Sequence, residues 1–376
     1  MSAAAAEPAY PQLDGLRAVA VSLVLCTHLL PSQPWVRRVG PGGLGVVLFF
    51  VLSGFLITGI LLRLRDAVAA GALSRDRALS RFYIRRALRI FPLYYAVLAV
   101  AALADVPPVR ATWPWHALYV SNLYFAHRGS WNGVVTPLWS LSIEEQFYLL
   151  WPLVVLRVPP RAFPFVLPAL VALGPLSRAA YLLVGVDPFA IGLLPFGCAD
   201  TLLLGALLAL CWHEPARLGG VRRALRGFGL AVALPAVALY LALGPVAVDS
   251  PAFVLASALQ LLLTGAVFFA VIDAAARGLG GPPGRLLASR PMRFLGQISY
   301  GIYLLHTFVQ GAARGLGAPL RALYRDELAW FPVACATVVL VASATYLLFE
   351  KPINGLKRRF PYAGRDGGAS ASVRPP

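Results

Sequence analysis

Apolar stretches about twenty residues long recur along the whole chain, each long enough to cross about 30 Å of hydrocarbon. No other sequence feature restricts the possible folds so sharply. Inside lipid every backbone amide must be satisfied within the protein, which leaves helices or a closed barrel. The runs are long and unalternating, so they predict helices. About ten candidate spans are read, near 16–34, 44–64, 88–105, 137–156, 163–184, 189–212, 228–243, 252–273, 294–313 and 330–349. The expected fold is an all-α, polytopic membrane helical bundle with no separate soluble domain. A flexible N-terminus is expected over 1–11, the membrane domain over 12–356, and a basic, disordered tail over 357–376.

Composition supports lipid as the solvent: 59% of the 376 residues are hydrophobic and 13% charged, against about 25% charged in soluble domains. The formal net charge of +17 raises the question of nucleic acid. Its distribution answers it. With the N-terminus inside, the cytoplasmic segments hold 24 of the 33 Lys and Arg residues and the outer loops seven. Arg17 and Arg178 lie within spans. That is the positive-inside pattern, with both termini cytoplasmic, so the charge is topological and nucleic-acid binding is not expected. MSAAAAEPAY lacks a basic n-region, so no cleaved signal peptide is read. Cys26, Cys198, Cys211 and Cys335 show no metal-ligand spacing and are expected to be packing thiols.

Charges inside spans are costly and mark functional faces. In LDGLRAVAVSLVLCTHLL, Asp14, Arg17 and His28 project from nearly one helix face. His28 stands about 16 Å along the axis from Arg17. An Asp14–Arg17 ion pair at the cytoplasmic side and an imidazole deep in the membrane are expected. In TPLWSLSIEEQFYLLWP, Glu144, Tyr148 and Trp151 share a face, and Glu144 is the candidate; Glu145 reads as a helix-start acid favoured by the dipole. Arg81, Arg85 and Arg89 lie on one face with Arg86 beside them. Such a cluster suits a phosphate-bearing donor, although membrane anchoring alone explains it as well. In SYGIYLLHTFVQ, Ser299, Tyr303, His306 and Gln310 form a polar stripe that should face a cavity. Glu350 ends the last span beside Lys351, and Asp200 and Asp273 are isolated acids. Glycines in GLGVVLFFVLSGFLI read as close helix packing. The aromatics of 106–136 (Trp113, Trp115, His116, Tyr119, Tyr124, Trp131) read as an interfacial belt or an acceptor site.

These motifs together resemble the acyltransferase family 3 membrane proteins. The matching stretches are LDGLRAVAVSLVLCTH, GVVLFFVLSGFLI, FYIRRALRIFPLYY, WSLSIEEQFYLLWP, SYGIYLLH and FEKP, in the family's order from residue 12 to about 352. The resemblance implies a bundle of about ten transmembrane helices in the cell membrane. It implies transfer of an acyl group, acetyl by default, from cytoplasmic acyl-CoA to a hydroxyl of a carbohydrate, glycolipid or macrolide-like acceptor. Acyl-CoA is expected as a co-substrate, with no permanently bound cofactor and no metal.

By motif match, His28 is the catalytic histidine, supported by Asp14 and Arg17; Arg86 and Arg89, with Arg85, handle the donor; Glu144, His306 and Glu350 are further functional positions. Glu144 or Glu350 is expected to orient the imidazole. Two departures stand out. Many relatives carry an arginine just before the aspartate of span six, where this chain has Gly197-Cys198-Ala199-Asp200. Some relatives also add an esterase-like domain after the membrane part, and none is expected here. A glycolipid transporter without acyl-transfer chemistry is the alternative reading, although the inverted repeats of that class are not evident.

Overall fold

A computed structural model describes residues 10–194, 196–244, 251–314 and 326–362, and it is helical throughout, with no strand among the described residues. The N-terminal residues 1–9 and the tail from 363 lie outside them, as do Arg321 and Arg325 and the side chain of Arg314. Among the described residues ten long helices follow the apolar stretches. They are α1 (Pro11–Leu29), α2 (Pro41–Ala69), α3 (Arg75–Leu103), α4 (Leu138–Arg157), α5 (Phe163–Leu183) and α6 (Ala199–His213). The remainder are α7 (Pro215–Leu243), α8 (Pro251–Ala276), α9 (Ser299–Arg314) and α10 (Glu327–Arg359).

Six of these, α2, α3, α5, α7, α8 and α10, are long and apolar enough to cross a membrane. The other four fall short for visible reasons. Helix α6 has 15 residues and α9 has 16. Helices α1 and α4 carry Asp14 with Arg17 and Glu144 with Glu145, which lower their hydropathy.

Local signals set the helix ends. Proline opens α1, α2 and α7, where its missing N–H costs nothing. Ser74 caps α3 by accepting from the Arg77 amide, and Asp326 caps α10 by accepting from Leu328 and Ala329, satisfying donors that the first turn leaves free. Leu103, Leu149, Leu183 and Leu348 stand exposed on the outer surface. That is the arrangement of a bundle whose solvent is lipid.

Helix α2 is the mast. In its apolar window 72% of residues lie inside the protein, against 11% for α7. Glycines make that enclosure possible. A Cβ on Gly54 would collide with the Leu202 carbonyl of α6, one on Gly205 of α6 with the Val51 carbonyl, and one on Gly45 with the Ala20 carbonyl of α1. Backbones in contact give large dispersion contact without a hydrophobic drive. The reading of this run as packing therefore holds at Gly45 and Gly54. Gly43 meets nothing and faces open space. The four cysteines are free thiols.

Gly205→Val should therefore force α6 off α2, at a cost of at least about 1–3 kcal/mol from overpacking. A melting curve in detergent should show it, whereas Gly220→Ala, with open space around it, should leave the curve in place.

Candidate functional site

Four adjoining cavities within the bundle share lining residues. A basal chamber of about 220 Å³ is lined by Arg63, Arg85, Arg86, Arg89 and Lys357, with Arg17 at its inner end. Arg17, Arg86 and Arg89 also line a narrower middle chamber of about 60 Å³, together with Ser53, Glu144, Glu145, Tyr148 and Ser299. Val46 and Tyr303 line the middle chamber and also a distal chamber of about 520 Å³, which contains His28. A side pocket shares Arg17, Arg89 and Lys357 with the basal chamber and holds Asp14 and Glu350. The file of chambers thus runs from a cluster of guanidinium groups to an imidazole.

Arg17 of α1 and Arg89 of α3 make no hydrogen bond or ion pair with any described residue. The expected Asp14–Arg17 ion pair does not close. Both residues sit on one face of α1, but Arg17 also lines the middle and basal chambers, while Asp14 lines only the side pocket. Arg86 lies 4.8 Å over the ring of Tyr148, a contact that holds the cation without neutralising it. Arg85 serves the architecture, since it donates to the Lys357 and Phe360 carbonyls and lies 4.2 Å over Tyr362. Arg81 does not line these chambers.

Glu144 accepts from the Ser53 hydroxyl at 2.6 Å. Tyr148 lines the same chamber, and Trp151 donates to Thr58 at 2.8 Å. The shared face of Glu144, Tyr148 and Trp151 is therefore turned inward against α2. Glu145 reads from sequence as a helix-start acid, but α4 begins at Leu138, so Glu145 sits two turns in and lines the middle chamber. Ser53 escapes a sequence reading because it lies in the small-residue run of α2, where packing alone accounts for it.

The stripe on α9 does face inward: Ser299, Tyr303, His306 and Gln310 are all buried. The Tyr303 hydroxyl is 2.5 Å from Ser140 Oγ, at the junction of the middle and distal chambers. Gln310 donates to the His28 carbonyl at 2.8 Å. The ring that faces His28 belongs to His306, with centroids 4.7 Å apart. His306 Nδ1 is 2.6 Å from the Tyr303 carbonyl, and its Nε2 is buried with no partner among the described residues. From sequence either Glu144 or Glu350 is a candidate to orient His28, and no described carboxylate pairs with it. Glu144 is engaged by Ser53, and Glu350 lies in the side pocket near the arginines.

Asp200 is not part of this file. Arg178 of α5 grips it bidentately at 2.9 and 2.7 Å and also donates to the Gly197 and Ala258 carbonyls. Both side chains are buried. The arginine missing just before Asp200 is thus supplied 22 residues upstream, and the pair ties α5, α6 and α8 together. Asp273 is likewise surrounded, by Arg222, Arg226, Arg277 and the Trp212 indole.

The aromatic loop divides. Trp113 and Trp115 are exposed as a belt would be. His116 is fully buried between Thr112 and Ser121. Trp131, with Trp139, lines the distal chamber around His28.

Comparison with known proteins agrees with the motif order. The family model described as "Acyltransferase domain" matches residues 10–347. The peptidoglycan O-acetyltransferase OatA of Listeria monocytogenes is 30% identical over 91% of this chain and 55% of its own length. The putative peptidoglycan O-acetyltransferase YrhL of Bacillus subtilis is also 30% identical, over 91% of this chain and 54% of its own. A putative O-acetyltransferase of Staphylococcus aureus strain COL is 29% identical over 54% of this chain and 35% of its own length. The chain spans about half the length of the first two. No solved structure matches it.

Arg178→Ala should leave Asp200 buried and unpaired and cost roughly 3–5 kcal/mol. The double variant Arg178→Met/Asp200→Leu should recover most of that stability, with thermal unfolding as the measurement. Any activity measured for the wild type should persist in the folded double variant; its selective loss would return Asp200 to the site.

Proposed function

The chain belongs to the acyltransferase family whose model covers residues 10–347, and from that premise we propose that it is a membrane O-acyltransferase moving an acetyl group from acetyl-CoA to a hydroxyl of a carbohydrate acceptor. The observation that carries this reading is the series of adjoining cavities, sharing walls, between the unpaired Arg17 and Arg89 and His28. A guanidinium inside a membrane bundle needs an anion or water, and a phosphate matches its paired donors. The pantetheine arm of coenzyme A has the length to reach from those arginines past Tyr303 toward His28, about 16 Å along α1.

All ten long helices act as spans in this reading, with both termini in the cytoplasm. The basal chamber then opens on the cytoplasmic side, where acyl-CoA is made. Six helices suffice in length and composition on their own. Of the other four, α1, α4 and α9 line the chambers, where solvation lowers the cost of their polar groups, and α6 packs against α2.

In the chemical step the acceptor hydroxyl attacks the thioester carbonyl. His28 removes the hydroxyl proton, the C–S bond breaks, an ester C–O bond forms, and the coenzyme A thiolate leaves and takes up a proton. A general base of this kind contributes about 10²–10⁴-fold. His306 packs against the His28 ring from α9, and Gln310 holds the α1 backbone at His28. Glu144, fixed by Ser53, offers a carboxylate to the donor's amides in the middle chamber. Trp131 and Trp139 give the distal chamber flat apolar walls suited to the faces of a sugar ring. Peptidoglycan is named for two relatives, so a wall glycan is the first acceptor to test, with glycolipids and macrolide-like hydroxyls next.

Comparative mass spectrometry of wall glycans, glycolipids and small metabolites from wild type, deletion and His28→Ala strains tests this. One compound should lose a single acetyl increment in both mutant strains. A compound displaced across the membrane with its mass unchanged would overturn the enzyme reading in favour of transport. In vitro, Arg89→Ala should raise the KM for acetyl-CoA roughly tenfold or more, the worth of one charged hydrogen bond, with little change in the acceptor KM.

A further inference from the structure

The side pocket has a chemistry of its own. It branches from the basal chamber and shares Arg89 and Lys357 with it. Glu350 is only 7% exposed, and its Oε1 accepts no hydrogen bond from any described residue. One helical turn later, Asn354 Oδ1 is also buried and unpartnered, and it lines the same pocket. Tyr300 and Tyr346 supply aromatic walls. Glu350 closes a π-helical turn, Tyr346–Glu350, and such turns recur at functional sites.

Two buried acceptors left open cost stability unless a donor fills them. A carboxylate has only acceptors to offer, so the missing ligand group must carry N–H or O–H. Ring-shaped walls call for a flat group. The adjoining cations call for a phosphate on the same molecule. We infer that the pocket takes the amino-purine base of a phosphorylated nucleotide, its exocyclic amine donating to Glu350 and Asn354 and its ring lying against Tyr300 and Tyr346. The inference rests on the acyl-CoA reading above and names the subsite that holds the donor's adenine. It divides the labour at the arginine-rich end: Arg17, Arg86 and Arg89 take phosphates, while the side pocket reads the base.

The test is equilibrium binding to the full chain in lipid nanodiscs, which needs no knowledge of the acceptor. Three probes are titrated: coenzyme A, its counterpart with hypoxanthine in place of adenine, and phosphopantetheine, which has no base. Hypoxanthine turns a carbonyl oxygen toward the Glu350 carboxylate where adenine turns an amine. Wild type should bind coenzyme A roughly tenfold or more tightly than the hypoxanthine counterpart, the worth of about one hydrogen bond. In Glu350→Leu and, independently, Asn354→Leu, that ratio should shrink while phosphopantetheine affinity stays where it was. Equal affinity of wild type for the two nucleotides overturns the base pocket and leaves the donor reading intact. No binding of coenzyme A by folded wild type overturns the donor reading and the base pocket with it. The comparison of the two nucleotides on wild type needs no variant, so a Glu350→Leu that fails to fold does not block it.

Discussion

Arg178 and Arg17 lie in one bundle and are treated in opposite ways, and the plan of the molecule depends on that difference. Arg178 meets a carboxylate fork and two carbonyls, all buried. Every charge it brings is answered within the protein, so it serves as glue between three helices. Arg17 is offered no such answer, and neither is Arg89. A bare guanidinium in hydrocarbon would be driven out or would drag water in. Here the helices leave room for the water, and that room is the file of chambers. The cavity and the unpaired charge therefore explain each other.

Room of this kind needs a stiff wall. Backbone contacts at Gly45, Gly54 and Gly205 hold α1, α2 and α6 at a separation that no larger side chain permits. With α2 fixed, Ser53 is presented to Glu144, and Val46 is placed at the junction of the middle and distal chambers. The same helix thus packs with its glycines and serves the site with its serine. Polar contacts that reach across helices do the remaining positioning: Tyr303 to Ser140, Gln310 to the His28 carbonyl, and Thr307 to the Val134 carbonyl.

Much of this is legible in the sequence, because it follows from one helix at a time. The ten helices follow runs of apolar residues, and the α9 stripe follows from a period of 3.6. The shared face of Asp14, Arg17 and His28 follows in the same way, and all three residues line connected cavities. Pairing is what a sequence hides. Three-residue spacing puts Asp14 near Arg17, and both line the side pocket, but it does not say that Arg17 also lines the middle and basal chambers with the ion pair left open. The partner of Asp200 lies 22 residues away on another helix, and nothing in the local sequence points to it. His306 is visible as a polar residue on α9 and His28 on α1. Their approach to 4.7 Å is a property of how α1 and α9 cross. Glu145 misleads although the span start expected near 137 matches α4 at Leu138: its role depends on which chamber its side of the helix meets, and packing decides that.

The order of the chambers carries a further consequence. The narrowest cavity, about 60 Å³, lies between two wider ones, and its walls carry Arg17, Arg86, Glu144, Glu145 and the Tyr303 hydroxyl. In the proposed reading the thin pantetheine arm occupies this chamber, and the base and the sugar ring stay in the larger ones on either side. In that reading this small chamber separates two recognition problems, phosphate and base on the arginine side and acceptor hydroxyl on the His28 side. Only the reactive end of the donor has to pass. An arrangement of this kind lets a donor from one side of a membrane meet an acceptor from the other while neither crosses. A pair of residues, Val46 and Tyr303, stands where the two sides meet.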